Sequence, residues 1–434
     1  MTFISFKHPS IFLYLFLLGL PFDHVTIPIG FLHVSVSDLA MVLLLVSWII
    51  DFIFIKHAAI QYPVQVYLAG MLIIFIVGAT LANGDAPESY FTSFSFSVKI
   101  VGYILMLQLV RTEQQLITAV KVLLIGAFLS TFLAFYQQYA FVTQGMPGLR
   151  TVMVAGTKAG LNTNLPFAPL RVPSGMNREA AYGIYLSFSL TLALCIYLFK
   201  FSAKLRWTMI IPLLFFLGTM IMNDTRAGYL GISFSMIIAL ILTNSRIRYL
   251  LPFLIIFLPL IVIPLYDFLF HHREASVISR QEIIMPVLEY ALENPLGGGV
   301  WDFVRTSDAG IGAHSSILQI LTHGGLPAMV LYIIILISIF ARLRKHFKTV
   351  FKVRWSGTYR YSLYAALTSA FIGLIVQSEF IHPRSANKDH WAFLALVFLA
   401  PLIAENAKKV EKDYFPSDEE DSDSNLEPQK TEEL

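Results

Sequence analysis

The chain has 434 residues, of which 56% are hydrophobic and 14% charged, and 31 Lys and Arg against 28 Asp and Glu give a formal net charge of +3. A water-soluble domain carries about 25% charged residues, so the composition excludes a protein solvated by water on all sides, while the small net charge says little by itself. The single cysteine, Cys195, excludes an intramolecular disulfide and a thiolate metal site.

Crossing about 30 Å of hydrocarbon takes about 20 mostly apolar residues, and a lipid-exposed backbone must satisfy its own hydrogen bonds, which leaves helices for runs of this length. Read in chain order, the apolar runs predict about twelve spans at 9–22, 37–55, 63–82, 95–110, 116–139, 181–199, 207–222, 227–243, 249–266, 314–340, 361–380 and 390–405. The fold class expected is therefore all-α, a polytopic membrane protein. Lys7 ahead of the first apolar run has the outline of a signal peptide, but no small-residue cleavage site follows, so the run reads as an uncleaved first span.

Orientation follows from Lys and Arg in the connecting loops. With the N-terminus on the cytoplasmic side, the inner loops carry Lys56, Arg111, Lys200, Lys204, Arg206, Arg246 and Arg248. The segment 342–360 adds seven basic residues and no acid, and the opposite loops 23–36 and 83–94 hold no Lys or Arg. Two short connections depart from the rule, through Arg226 in MNDTRAG and through Arg384 and Lys388 in HPRSANKD. Two longer outer loops, 140–180 and 267–313, are exempt from it. The domain reading is a membrane domain over 1–406 and, over 407–434, an acidic tail too poor in apolar residues to fold.

The outer side collects Arg171, Arg178, Arg226, Arg280, Arg305 and His314. An arginine near membrane depth needs an anion or a water-filled cavity, and its planar fork binds phosphate oxygens in pairs. Asp224 and Thr225 suit a helix cap that places Arg226 in the first turn, where it reads either as a snorkelling interfacial residue or as an anion ligand. Arg171 and Arg178 bracket the turn residues Ser174, Gly175 and Asn177, and each also reads as an ordinary loop arginine. Arg280 heads an amphipathic stretch, with Ile283, Ile284, Val287, Leu288, Ala291 and Leu292 at helical spacing, ended by Asn294-Pro295. That pattern predicts a helix lying along the membrane surface. A run over 314–340 would be about 40 Å long, too long for one straight span. Gly324, Gly325 and Pro327 predict a short outer helix, a bend, and then the span, with His314 near the mouth of the outer cavity. An imidazole can take a proton from a sugar hydroxyl near neutral pH. Gly297-Gly298-Gly299 follows no predicted strand and reads as a place of close backbone approach. Tyr90, Phe91, Phe94, Tyr139, Phe141 and Trp301 read mainly as an interfacial aromatic belt, with sugar stacking as the sharper alternative.

ENPLGGGVWDFVRTSDAGIGAHSSILQILTHGGLPAMVLY, TRAGYLGISF, RVPSGMNREAAYGIYL and SVSDLAMVLLL together resemble the signature regions of the O-antigen ligase and polymerase superfamily. The likeness spans roughly 20–405 and is densest over 171–332. It implies a GT-C-type membrane glycosyltransferase needing no metal or other cofactor. Its partners would be a polyprenyl-diphosphate-linked glycan donor, a lipid- or glycan-linked hydroxyl acceptor and membrane lipids, with no nucleic acid. The reaction would take place on the outer face of the cytoplasmic membrane, with both termini inside. Carried over by position, Arg171, Arg226 and Arg280 would bind the diphosphate and His314 would be catalytic, with Arg178, Arg305 and Trp301 as possible additions. Ser315 stands where the pattern has asparagine, and MNREA departs from its asparagine-proline-asparagine. Ligase and polymerase are not distinguished. A transporter is the reading from another class, resting on Lys99, Gln377 and Glu379.

Overall fold

The computed structural model describes residues 10–23, 25–29, 32–56, 61–83, 87–152, 160–161, 170–171, 173–174, 176, 179–198, 207–223, 225–243, 274–300, 302–306, 313, 315–353, 359–380 and 387–414. Helix dominates. In chain order the elements are α1 (Ser10–Gly19), β1 (Thr26–Ile29), β2 (Leu32–Ser35), α2 (Val36–Ile50), α3 (Pro63–Asn83), α4 (Pro87–Leu109) and α5 (Glu113–Val152). There follow β3 (Gly160–Leu161), β4 (Leu170–Arg171), α6 (Glu179–Leu198), α7 (Ile210–Asn223), α8 (Arg226–Thr243), α9 (Glu274–Glu293), α10 (Asp302–Thr306), α11 (Ser316–Val353), α12 (Tyr359–Phe380) and α13 (Lys388–Tyr414). Five helical stretches, 36–53, 64–83, 89–109, 113–145 and 316–345, are long and apolar enough to cross a bilayer, and five shorter apolar helices accompany them.

Several details correct the reading from sequence. The segments 23–36 and 160–171, expected as outer loops, contain two small antiparallel ribbons, β1–β2 and β3–β4, so the fold is not purely helical. α4 begins at Pro87, inside the expected loop 83–94, and α5 runs on to Val152 past a break at Gly145, shortening the expected loop 140–180. α13 extends to Tyr414, eight residues past position 406. The expected span 249–266 and residues 415–434 lie outside the described residues.

α6 is apolar on every side and is the buried axis of the fold, as expected of a helix without a polar face. It packs against α5, α7, α8 and α12. Its Ser187 Oγ accepts from Gln377 Nε2 of α12 at 2.5 Å, a polar tie that a bare hydrocarbon interface lacks. α8 and α12 pack closely along their length. Gly373 of α12 faces Ser235 and the Gly231 carbonyl of α8, and a Cβ there would lie 2.4 Å from that carbonyl oxygen. Small residues bring the backbones together, which is how apolar helices associate in lipid. The first fourteen residues of α13, Lys388 to Pro401, are equally enclosed, and Phe393 stacks on Phe188 of α6 at 3.7 Å between ring centroids.

Candidate active site

α2, α8 and α11 all begin at one end of the bundle, where α7 and α12 finish. Each start is organised by a local polar device. Ser35 Oγ accepts from Asp38 N at 3.0 Å while Asp38 Oδ2 accepts from Ser35 N at 3.1 Å, a capping box that starts α2. In the tight α7–α8 turn, Thr225 Oγ1 donates to Asn223 Oδ1 at 2.6 Å. Gly183 of α6 and Gly228 of α8 leave room for the Thr225 hydroxyl, which a Cβ on Gly183 would overlap at 1.8 Å. The start of α6 is held through Ser174, whose amide donates to Gln137 Oε1 at 3.0 Å and whose Oγ donates to Ser130 O at 2.8 Å.

The start of α11 is held by Glu379, from the last turn of α12. Its Oε2 accepts from Ser315 Oγ and from Ile317 N, both at 3.0 Å, satisfying one of the free first-turn amides. Its Oε1 accepts from Ser378 Oγ at 3.0 Å and from Tyr332 OH at 3.3 Å. The Tyr332 hydroxyl in turn lies 2.9 Å from His390 Nε2 on α13. Three helices are thereby linked at the residue that follows position 314.

α11 breaks where the glycines predicted, at Gly325, whose φ is +74°. The break leaves backbone groups that lipid cannot satisfy, and the 295–299 loop supplies their partners. Gly298 N donates to Thr322 O at 3.2 Å, Gly299 N to His323 O at 3.0 Å, and Leu326 N to Pro295 O at 2.9 Å. Asn83 Nδ2 of α3 completes the set by donating to Gly297 O at 2.9 Å. A Cβ on Gly298 would overlap the Tyr290 hydroxyl at 1.7 Å. The triple-glycine run thus admits a close backbone approach, and its partner is the α11 bend.

α9 ends at Glu293, at the expected Asn294-Pro295 stop. Its inner face, Ile283, Val287 and Tyr290, packs with Phe303 of α10, Leu321 of α11 and Ala313, while Ile284, Met285, Leu288 and Leu292 face outward. Tyr290 OH donates to Asp302 Oδ2 at 2.5 Å. Burial, together with this carboxylate, holds the phenol above its ordinary range, so it remains a donor.

The positions singled out in the sequence fall as follows. Arg171 is the last residue of β4, which packs against α7; Arg226 is the first residue of α8; Arg280 lies in α9, one turn before Ile283. Their side chains, and all of Arg178, Trp301 and His314, lie outside the described residues. Ala313, next to His314 in the sequence, belongs to the same apolar cluster as Ile283 of α9. Arg305 is described: it is exposed, and its Nη2 donates to Ser89 Oγ of α4 at 3.0 Å. α11 starts at Ser316, two positions after residue 314, which lies outside the described residues. Tyr90, Phe91, Phe94 and Tyr139 are exposed, in keeping with an interfacial belt.

A second cluster was not read from the sequence. Lys388, only 4% exposed, forms ion pairs with Asp23 and Asp38 and donates to Ser37 Oγ at 3.0 Å and to Ser35 Oγ at 3.2 Å. Burial would raise the Asp23 pKa, but the Lys388 ammonium outweighs it and holds the carboxyl well below the usual range. Burial alone would lower the Lys388 pKa, yet Asp23 and then Asp38 raise it above the ordinary lysine value. Lys99 is close enough to act on Asp23 as well. Lys388 broke the charge rule because its charge is spent inside the protein.

The helices, their lipid-length apolar faces and the polar ties between them define a polytopic integral membrane protein. Residues 211–333, from α7 to the upper part of α11, match the family model described as O-antigen ligase, which supports placing the chain in the O-antigen ligase and polymerase superfamily. The matched region contains Arg226, Arg280, Trp301, Arg305 and His314; Arg171 and Arg178 precede it. No curated protein matches the chain.

Proposed function

We propose that this protein transfers a glycan from a polyprenyl-diphosphate carrier to a hydroxyl acceptor on the outer face of the cytoplasmic membrane, as a GT-C-type enzyme of the ligase kind. The observation that carries the reading is the family match, which runs through Arg226, Arg280 and His314. Further support comes from the packing of α9, which bears Arg280, on Ala313 and the start of α11.

In this mechanism Arg171, Arg226 and Arg280 hold the diphosphate. The acceptor hydroxyl attacks the anomeric carbon, the bond from that carbon to the diphosphate oxygen breaks, and the hydroxyl proton passes to the His314 imidazole. Negative charge grows on the leaving diphosphate, and fixed guanidiniums stabilise it more in the transition state than in the ground state. No metal ion has a part in this step. Glu379 keeps the segment after His314 in place.

Arg226→Ala and His314→Ala are each expected to lower glycan transfer in reconstituted membranes by 10²-fold or more, on the order of what fixed charge stabilisation and proton transfer contribute. Near-normal transfer by both variants, with normal membrane insertion, overturns the assignment. A polymerase of the same superfamily shares the donor chemistry. Deleting the gene separates the two: carrier-linked polymer accumulates if the protein is a ligase, and single repeat units if it is a polymerase.

A further inference from the structure

At the opposite end of the bundle a cavity of about 240 Å³ opens between α5, α6, α7 and α12. All four helices contribute the same end: Ile117 to Phe128 from the first turns of α5, Ile196 from the last turn of α6, Pro212 from the start of α7 and Leu363 from the start of α12. The α5 contribution alone runs about 16 Å along the helix axis, so the cavity is a slot parallel to the bundle. Phe128 is the lining residue farthest from the bundle end along α5, and its ring packs edge-on against Phe132 and Phe215 at 5.1 and 5.3 Å.

Among the described residues of the wall Lys121 is the one charged side chain, and the rest are apolar. A trapped water needs two to four polar partners, and this wall does not offer them. The occupant is therefore hydrocarbon. The rim says which kind. Trp207, 70% exposed at the start of α7, marks headgroup depth. Lys121 is exposed, with its stem on the slot, and a lysine in that position sends its ammonium toward the headgroups. Exposed Arg111 stands just ahead of α5.

We propose that this slot binds one acyl chain of an anionic phospholipid, its phosphate paired with Lys121, in the leaflet at the basic end of the bundle. The site is remote from the α11 start and independent of the proposed transfer reaction. It steadies four helix ends by filling the wedge between them.

The test is native mass spectrometry of the purified full-length protein titrated with phosphatidylglycerol or with phosphatidylcholine of the same chains. Phosphatidylglycerol is expected to bind about fivefold more tightly, the effect of one basic residue near an anionic headgroup. Lys121→Glu, a substitution at an exposed position, is expected to remove the preference while leaving chromatographic behaviour unchanged. Leu124→Trp, which fills the slot, is expected to lower retention of both lipids. Equal binding of the two lipids by the unaltered protein, or an unchanged preference in Lys121→Glu, overturns the proposal.

Discussion

Two carboxylate clusters stand at the same end of the bundle and are built on different principles. At Asp23, Asp38 and Lys388 the acids meet an ammonium, and the pairing ties the end of the α1 segment and the start of α2 to the start of α13. Glu379 instead accepts from an amide, two serine hydroxyls and a phenol, and holds the start of α11. The first is a clamp between distant parts of the chain, whose removal leaves charges of one sign facing each other. The second is a helix cap with a tyrosine–histidine extension, whose weakening loosens one short segment. Chemistry is accordingly sought at the second cluster, next to position 314, and stability at the first.

Replacing Lys388 gives the largest stability effect expected. Lys388→Met leaves Asp23 and Asp38 without their cation, and breaking a largely buried pair in this way costs about 3 kcal/mol, the low end of the usual range because Asp38 is partly exposed. Denaturant unfolding in detergent measures it. The same comparison sharpens with pH. Asp23 has a depressed folded-state pKa, so its contribution is fully present above the ordinary carboxylate value of about 4 and is lost as pH falls below it. Lys388 has a raised folded-state pKa, so its contribution holds until pH climbs past the ordinary lysine value of about 10.4. The stability gap between the parent protein and Lys388→Met should therefore be flat from about pH 5 to 9 and narrow in acid.

Gly325→Ala comes next. Its φ of +74° disfavours a side chain, and the new Cβ would lie 2.3 Å from Leu296 C and Pro295 O. A loss of about 2 kcal/mol is expected from backbone strain of this kind, accompanied by faster proteolysis of the 295–299 loop. Wild-type protection of that loop in the variant would show that the bend does not hold it.

Glu379→Gln should have the smallest effect on stability, about 1 kcal/mol, because the amide keeps an acceptor for Ile317 N and Ser315 Oγ. Its signature lies in catalysis: a lower rate of glycan transfer and a displaced pH profile, with unfolding little changed. A variant with the parent pH profile would reduce Glu379 to a structural cap, and the contrast between the two clusters would disappear.

Much of this arrangement is legible in the sequence because lipid enforces simple rules. Eleven of the twelve expected spans coincide with described helices, and the twelfth, 249–266, lies outside the described residues. The α11 bend was legible because Gly324, Gly325 and Pro327 act locally, and so was the end of α9 at Asn294-Pro295. The early start of α4 was hidden, since PESYFTS is too polar to read as part of a span, yet it forms the first turns of the helix. The Lys388 cluster was hidden for another reason. Its partners are 365 and 350 residues away, and nothing periodic in the sequence joins them. Glu379 was seen as an ionisable group near a span end, but its link to Ser315 crosses between two helices and depends on how they pack. The proposed arginine and histidine roles came from motif resemblance and charge placement.

The mating of the 295–299 loop with the Gly325 bend also bears on biogenesis. The amide of Leu326 and the carbonyls of Thr322 and His323 take their partners from a segment that leaves the ribosome about two dozen residues earlier. When the nascent α11 enters the bilayer, the segment that mates with its bend has already been synthesised. A chain in which that segment was delayed or cut would present unmated peptide groups to the insertion machinery, so cellular quality control could reject it before the last two helices were made.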